Sequence, residues 1–421
     1  MRPLRWVVLV ATVALTTSIF AAVRLTYDFS GKPIPVSWPA SAFPLRYTVE
    51  RSVADKYGID TIDHAFNAWT TVPDANISFR DTGISDGTQS GQNGISSVTM
   101  LDGLFKDQGF IAVTTNWYDT NGSMTEADIQ IDPSLVGTSY PAAATIEHEV
   151  GHFLGLDHSP VLSAVMYPYV CKNSPASLDS DDRIAIAAVY PKVDPTSAGA
   201  TLTGRVTANG TGIFAAQVVA VNSDGEPVAT GLTNSTGDFI LEGVPEGTYR
   251  IYSEPLDGPV QPANLDGIYR GAKVTAFPTR FVAGAPITVK NGSVYGNLAI
   301  DAGGPPVTLN PKYAGLASSS NGTDFALTAA TVAIKPGTTV TLAVGGDGFT
   351  SGMTTFEVLN PLVKRTSDFH YGANYVYATF QVAPGAVGGS SSIFVTSGND
   401  TAALTGAVRI DGLPRTRAAR H

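Results

Sequence analysis

The segment HEVGHFLGLDH, from His148 to His158, determines how the rest of this chain is interpreted. On a helix, His148 and His152 are four residues apart and share one face, so two imidazole nitrogens can converge on one ion. Gly155 is suited to end the helix and turn the chain sharply, which would carry His158 back to the same point. Three neutral imidazoles with an open fourth position are typical of a catalytic zinc site rather than a closed structural one.

Glu149 stands beside the first of these histidines. A carboxylate at this position can accept a proton from water and later deliver it to a leaving amine. The sequence therefore predicts one zinc ion held by His148, His152 and His158, with Glu149 as the general base. Because His64 and His370 lie far from this cluster in the sequence, we interpret them as ordinary surface or core imidazoles.

Helical periodicity is confined to a first block, residues 24–191, where it predicts three helices. The first follows from four apolar residues at helical spacing, namely Ile59, Ile62, Phe66 and Trp69. The second is predicted over residues 141–154 and the third over 178–190, which begins with acidic residues that complement the helix dipole, Asp179, Asp181 and Asp182. Strand-like runs at 110–117 and 127–132 make this block α+β.

The extended motif HExxHxxGxxH resembles that of the metzincin metalloproteases, in which a tight turn bearing a methionine follows the zinc helix. Met166 fits that turn. The flanking residues, Ser159 and the run AVMYP at 164–168, look like those of matrixins, the family of the matrix metalloproteases. Astacins and serralysins instead have a tyrosine two residues after the methionine, where this chain has Pro168. The similarity to matrixins covers roughly residues 35–191.

The resemblance implies an α+β metzincin catalytic domain, with a twisted mixed sheet and three helices, that hydrolyses protein or peptide substrates. It also implies that the run from Phe110 to Trp117 forms an edge strand above the cleft, where an extended peptide adds as a further strand. The wall of the primary specificity pocket would follow the methionine, and its candidate residues are Tyr167, Pro168, Tyr169 and Val170.

Three departures from the matrixin pattern limit which properties of that family can be expected in this chain. No histidine lies between His64 and His148, so the second, structural zinc of vertebrate matrixins cannot be built in the usual way, while calcium stays open. No cysteine precedes the first block, which excludes latency by a cysteine switch. The chain reads Pro168-Tyr169-Val170 where the family usually has Pro-x-Tyr, so the pocket shape does not carry over. Cys171 could serve as a free thiol or a crosslinking site, and we interpret it as a small buried residue.

The rest of the chain alternates short strands with turns, which predicts two small β-sandwiches. We name residues 201–300 the second block and 313–412 the third block; Pro- and Gly-rich linkers, 192–200 and 301–312, precede them. The run GDFILEGVPEGTYRI at 237–251 resembles carboxypeptidase regulatory-like, transthyretin-like domains, and GGDGFTSG at 345–352 resembles immunoglobulin-like domains. Neither block has a histidine cluster, so both are expected to be spacers or adhesion modules that attach to a cell surface or matrix. A basic tail, 413–421, ends the chain.

The remaining composition restricts partners and location. The 421 residues carry a net charge of -10, which disfavours nucleic acid as a partner. The single cysteine excludes an intrachain disulfide. Arg2 and Arg5 precede an uncharged run that ends at Val23, which predicts a signal peptide over residues 1–23 and a secreted protein, more typical of bacteria than of animals. An uncleaved N-terminal membrane anchor is the alternative.

Two classes of function compete for such a chain. The first is an exported zinc endopeptidase, and we expect residues 24–195 to fold and cleave short peptides without the later blocks. The second is an exported adhesion or scaffold protein whose metalloprotease-like domain is weakly active or only binds. The presence of all three ligands, the base and the methionine favours the enzyme.

Overall fold

The computed structural model describes residues 23–171, 174, 176–192, 199–305, 307–318 and 324–412. Nearly all of the predicted signal peptide, most of the first linker and the basic tail lie outside these residues. Within the described part of the chain, none of the helices has the length and apolar character needed to cross a membrane.

The first block contains four α-helices and seven strands among its described residues. The helices are α1 (Arg51–Tyr57), α2 (Ile59–Thr70), α3 (Ala142–Phe153) and α4 (Ser180–Val189). The strands are β1 (Thr26–Phe29), β2 (Lys32–Pro35), β3 (Leu45–Glu50), β4 (Phe79–Ser85), β5 (Ser97–Met100), β6 (Ala112–Tyr118) and β7 (Met124–Ile131).

Strands β3 to β7 form one mixed sheet in the order β4-β3-β5-β7-β6. All neighbours in it are parallel except β6, which pairs antiparallel with β7 at the sheet edge. The predicted edge strand is therefore confirmed. Strands β1 and β2 form a separate hairpin.

The prediction of three helices is wrong, because it omits α1. This helix has seven residues, of which only Val53 is buried, so it shows no repeating apolar stripe. Gly58, at φ 80°, separates it from α2. Helix α2 contains all four apolar residues that predicted it, and α3 and α4 lie within two residues of their predicted bounds.

Helix α3 is the centre of the first block, and it is buried on nearly all sides from Ala144 to Phe153. Helix α2 packs against it through Ile62, Phe66 and Trp69, the residues that share its apolar face. The Trp69 indole N–H donates to the carbonyl of Glu147 over 3.0 Å, which ties the two helices together. Burial of this kind fixes where the side chains of α3 can point.

The later blocks are all-β, as predicted. The second block contains β8 (Ala200–Ala208), β9 (Thr211–Gly212), β10 (Gln217–Val221), β11 (Pro227–Leu232), β12 (Asp238–Val244), β13 (Gly247–Glu254), β14 (Arg280–Phe281), β15 (Ile287–Val289) and β16 (Val294–Asp301). They form the sheets β11-β10-β13-β14 and β12-β8-β16, with β15 on β13 and β9 on β8. Both sheets contribute side chains to one core.

The third block contains β17 (Asn310–Leu316), β18 (Val332–Ile334), β19 (Thr339–Asp347), β20 (Thr354–Val358), β21 (Val363–Arg365), β22 (His370–Tyr371), β23 (Tyr375–Val382), β24 (Gly389–Ser397) and β25 (Asp400–Ile410). Its sheets are β17-β19-β23-β21, with β22 on β23, and β18-β25-β24-β20. These two sheets also share one core.

The three blocks pack against one another. Leu162 and Tyr167 of the first block lie in the same buried apolar cluster as Leu256 of the second and Val332 of the third. The Leu162 N–H donates to the carbonyl of Thr405 in β25 over 3.0 Å. The second and third blocks are therefore part of one packed structure with the first.

Candidate metal centre

The three predicted ligands meet at one point. His148 and His152 project from α3, and Gly155, at φ 86°, turns the chain so that His158 returns beside them. A Cβ on Gly155 would stand 2.7 Å from the carbonyl oxygen of Val36, so the turn also needs a residue without a side chain.

The spacing of the ring nitrogens suits a tetrahedral ion. Ligand nitrogens of the three histidines lie within 4.8 Å of one another, and the Nε2 atoms of His152 and His158 are 3.2 Å apart. Two nitrogens at 2.0–2.1 Å from a tetrahedral zinc would be separated by roughly 3.3 Å. The residues present therefore fit the zinc ion that the motif implies.

Each histidine is oriented through its other ring nitrogen. The Nδ1 atom of His148 donates to the carbonyl of Val165 over 2.6 Å, and that of His152 to Leu156 over 2.8 Å. The Nδ1 atom of His158 donates to the carbonyl of Asn264 over 2.5 Å. Because a carbonyl only accepts, Nδ1 carries the proton in all three rings, which leaves Nε2 free to bind a metal.

The site favours the neutral form of two of these imidazoles, His148 and His158. Burial lowers the pKa of His148 to about 3, helped by repulsion from His152 and opposed by the hydrogen bond to Val165. Burial also holds the pKa of His158 well below its usual range. Neutral imidazole is the form that binds a cation.

Glu149 is buried beside the cluster and faces the edge strand. Its Oε2 accepts a hydrogen bond from the hydroxyl of Thr114 in β6 over 2.6 Å. Burial raises the pKa of this carboxyl, opposed by the nearby His152 and by the Thr114 hydroxyl. The predicted base, the ligands and the edge strand therefore adjoin one another. The partnership with Thr114 was not predicted from the sequence.

Met166 lies in a buried turn that packs against α3. The backbone N–H groups of Val165 and Met166 donate to the two carboxylate oxygens of Asp182, over 2.8 and 3.0 Å. Asp179 caps α4, in keeping with its predicted place at the helix start, but Asp182 additionally holds the methionine turn. The sequence signal for this second role, an acidic residue in the first turn of a helix, is too common to be specific.

A cavity of about 450 Å³ lies between the methionine turn and the third block. It is lined by three of the four predicted pocket residues, Tyr167, Tyr169 and Val170, and by Cys171, but not by Pro168. Its opposite wall comes from the third block and includes Leu327, Ala330, Thr331 and Val332. No sequence pattern indicated that the third block would line this cavity.

The other histidines and acidic residues have separate roles. His64 is exposed on α2, and His370 stacks on Tyr377, with 5.1 Å between the ring centroids. Buried Glu126 and Asp128 accept backbone N–H groups from the loop at 91–97. Within the described part of the chain, the three clustered histidines are the only group of three or more side chains placed to hold a metal ion.

Paired helix histidines, a third histidine after a glycine turn, an adjacent glutamate and a methionine turn define a site of the metalloprotease type. Comparison with known families agrees: residues 42–191 match the Matrixin family, and residues 201–254 match the Carboxypeptidase regulatory-like domain. The chain therefore contains a segment that matches the Matrixin family followed by one that matches the Carboxypeptidase regulatory-like domain, which confirms both resemblances. The immunoglobulin-like character of the third block stays a prediction.

Similarity to individual proteins is local. Karilysin of Tannerella forsythia is 40% identical over 57 residues, and stromelysin-3 of Mus musculus is 42% identical over 60 residues. Each match covers 14% of this chain and 12% of the other protein. Among solved structures, BcpA, the major pilin subunit of Bacillus cereus, is 12% identical to this chain with a TM-score of 0.15. The match covers 50% of this chain and 68% of the BcpA chain. This last likeness carries no argument about fold or function.

Proposed function

We propose that this protein is an exported zinc-dependent endopeptidase. The observation that carries the proposal is the meeting of three histidines, each with Nδ1 bonded to a carbonyl, beside the buried carboxylate of Glu149. The matrixin match over residues 42–191 supports the same class of chemistry.

A zinc ion held by His148, His152 and His158 would lower the pKa of a bound water molecule towards about 7 and would polarise the substrate carbonyl. The chain supplies the proton transfers. Glu149 accepts a proton from the attacking water and passes it to the amine that leaves when the peptide bond breaks. The Thr114 hydroxyl, 2.6 Å from Oε2, restrains the rotation of that carboxylate.

The substrate would bind as an added strand on β6. Among the described strands, β6 pairs only with β7 and leaves its other edge free, and Thr114 near its middle contacts Glu149. Main-chain pairing along such an edge binds an extended peptide without selecting its sequence. The peptide carbonyls would then pass directly beside the metal centre.

Side-chain selection would come from the cavity behind the methionine turn. Its volume of about 450 Å³ and its lining of Ala330, Val332, Tyr167 and Leu327 suit a large apolar side chain. We further propose that the predicted signal peptide directs the protein out of the cell and that the later blocks attach it to a surface or matrix.

The test replaces Glu149 by Gln, which keeps the shape of the side chain and removes the base. We expect zinc content to stay at one ion per chain and turnover of peptides to fall by at least roughly 100-fold. The matched control is Glu147→Gln. Glu147 is a neighbouring buried carboxyl on α3 whose oxygens have no hydrogen-bond partner among the described residues, so this variant should keep its turnover.

Peptide cleavage by mass spectrometry, with and without a chelator, gives the readout, and elemental analysis gives the zinc content. Native turnover in the Glu149→Gln variant would exclude the assigned base. Absence of chelator-sensitive cleavage by the unmodified protein would instead favour a binding or scaffold role.

A further inference from the structure

Of the three ligands, His158 alone is oriented by another block. His148 and His152 bond to carbonyls of the first block, whereas Nδ1 of His158 bonds to the carbonyl of Asn264, 106 residues further along the chain. Asn264 belongs to the segment at 256–272, which leads from β13 towards β14 and which we name the bridging loop.

A second set of hydrogen bonds joins the same two segments. The backbone N–H of Asp266 donates to both carboxylate oxygens of Asp157, over 3.0 and 3.1 Å. The backbone N–H of His158 donates to the same carboxylate over 2.7 Å. Asp157 is only 2% exposed, so its carboxylate links the bridging loop directly to the ligand's backbone.

The bridging loop is also pressed against the N-terminal strand beside the metal centre. Gly267, at φ 58°, approaches β1 so closely that a Cβ there would stand 1.9 Å from the carbonyl oxygen of Thr26. The adjacent Leu25 donates its N–H to the carbonyl of Gly155, in the turn that precedes the third ligand. The bridging loop therefore packs against β1, and the segment at β1 in turn contacts the turn at Gly155 that precedes His158.

The second block holds the Asn264 carbonyl in place. The side-chain carbonyl of Asn264 accepts from the backbone N–H of Gln261 over 2.9 Å, and the backbone N–H of Asn264 donates to the Gln261 carbonyl over 2.8 Å. Tyr269 is buried and stacks on Phe214, with 5.5 Å between the ring centroids. From the first block, the Tyr169 hydroxyl accepts one further hydrogen bond from the Asn264 side-chain amide, over 2.8 Å.

We propose that the bridging loop of the second block is part of the metal centre and that Asn264 is a positioning residue for the ligand His158. This rests on the proposed function only in taking zinc as the metal. Partners that orient metal-bound histidines typically change metal affinity by 10–100-fold when they are lost. The second block thus acts on the zinc site itself, in addition to any attachment role.

The test compares two glycine variants in the full-length protein. Gly267→Ala places a methyl against Thr26 and should move the bridging loop off the first block. Gly271→Ala is the matched control, because Gly271 lies in the same loop at φ 74° and a Cβ there meets nothing within 4 Å. Both variants carry similar backbone strain, so only the contact with β1 differs.

Zinc affinity is measured by competition with a chromophoric chelator, without substrate. We expect Gly267→Ala to bind zinc about 10–100-fold more weakly than the unmodified protein, and Gly271→Ala to stay within about twofold. A change in the visible spectrum of the cobalt-substituted protein should accompany only the first variant. Equal zinc affinity in both variants would overturn the proposal.

A second pair remains informative if Gly267→Ala does not fold. Asn264→Ala removes the acceptor for the Gln261 N–H, whereas Asn264→Asp keeps that acceptor; both variants remove the amide N–H that donates to Tyr169. We expect weaker zinc binding from the alanine variant and near-native binding from the aspartate variant; equal affinities in this pair would overturn the proposal. If the unmodified protein binds zinc but cleaves no peptide, the proposed peptidase function is refuted. The zinc affinities of the two variant pairs would still show whether the bridging loop positions His158.

Discussion

Gly151 separates the zinc helix from the methionine turn, and Gly151→Ala tests how tightly the two are packed. A Cβ at this position would stand 2.1 Å from the sulfur of Met166 and 2.9 Å from Cζ2 of Trp69. Ordinary carbon contacts lie at about 3.5–4.0 Å. The methyl group therefore requires the sulfur or the helix to move by about 1.5 Å.

Neither neighbour can retreat freely. Trp69 is fully buried and its indole is bonded to the Glu147 carbonyl, while the backbone of Met166 is held by Asp182. Overpacking of this kind costs about 1–3 kcal/mol. Replacing glycine by alanine inside a helix returns about 1 kcal/mol of helix propensity. We expect Gly151→Ala to lower the free energy of unfolding by up to about 2 kcal/mol.

A double-mutant cycle separates the clash from the propensity. In the background Met166→Ala the sulfur is gone, so adding Gly151→Ala should cost little or even stabilise. The free energies of unfolding of the four proteins, measured by urea titration, should give a coupling of about 1–3 kcal/mol. Effects that add within about 0.5 kcal/mol would show that the two residues do not meet and would refute the packing.

Two further predictions follow from the interfaces between blocks. Burial raises the pKa of Glu254 to about 8, opposed by the Thr405 hydroxyl, whereas an unfolded glutamate loses its proton near pH 4.5. Because the folded protein keeps this proton up to a higher pH than the unfolded chain, its free energy of unfolding falls as pH rises from 4.5 to 8. Glu254→Gln has no such proton to lose, so its free energy of unfolding should rise by a few kcal/mol relative to that of the unmodified protein over this pH range. A difference between the two proteins that does not change with pH would contradict this prediction. Ala330→Phe should narrow the cavity and lower kcat/KM at least about tenfold for peptides with a large apolar side chain, but not for matched alanine peptides; an equal loss for both would exclude the cavity as the selecting pocket.

The ligands could be predicted because their arrangement is encoded locally. Four-residue spacing on α3 sets His148 and His152 on one face, and the turn at Gly155 needs only three more residues to bring in His158. Helix α2 was equally accessible, since one buried face repeats along it. A structural pattern that is contained within about a dozen residues can be predicted directly from the sequence.

The groups that orient the site could not be predicted in this way. Thr114 and Glu149 are separated by 35 residues, and Asn264 and His158 by 106. Contacts between residues so far apart in the sequence depend on how whole helices, strands and loops pack. The sequence around either residue contains no pattern that identifies the other residue as its partner. For Asn264 the bonding atom is also a backbone oxygen, which every residue has.

The same contacts bear on where the protein can be divided. The sequence led us to expect that residues 24–195 suffice for cleavage of short peptides, because they contain every ligand, the base and the methionine. Cutting there would expose Leu162 and Tyr167, which now lie in the cluster shared with the later blocks, at a cost of about 1.5–3 kcal/mol for each large apolar side chain. It would also remove the carbonyl that orients His158. Since the ligands belong to one block and a group that orients the third ligand belongs to another, we expect the unit that binds zinc at full affinity to extend at least through the bridging loop.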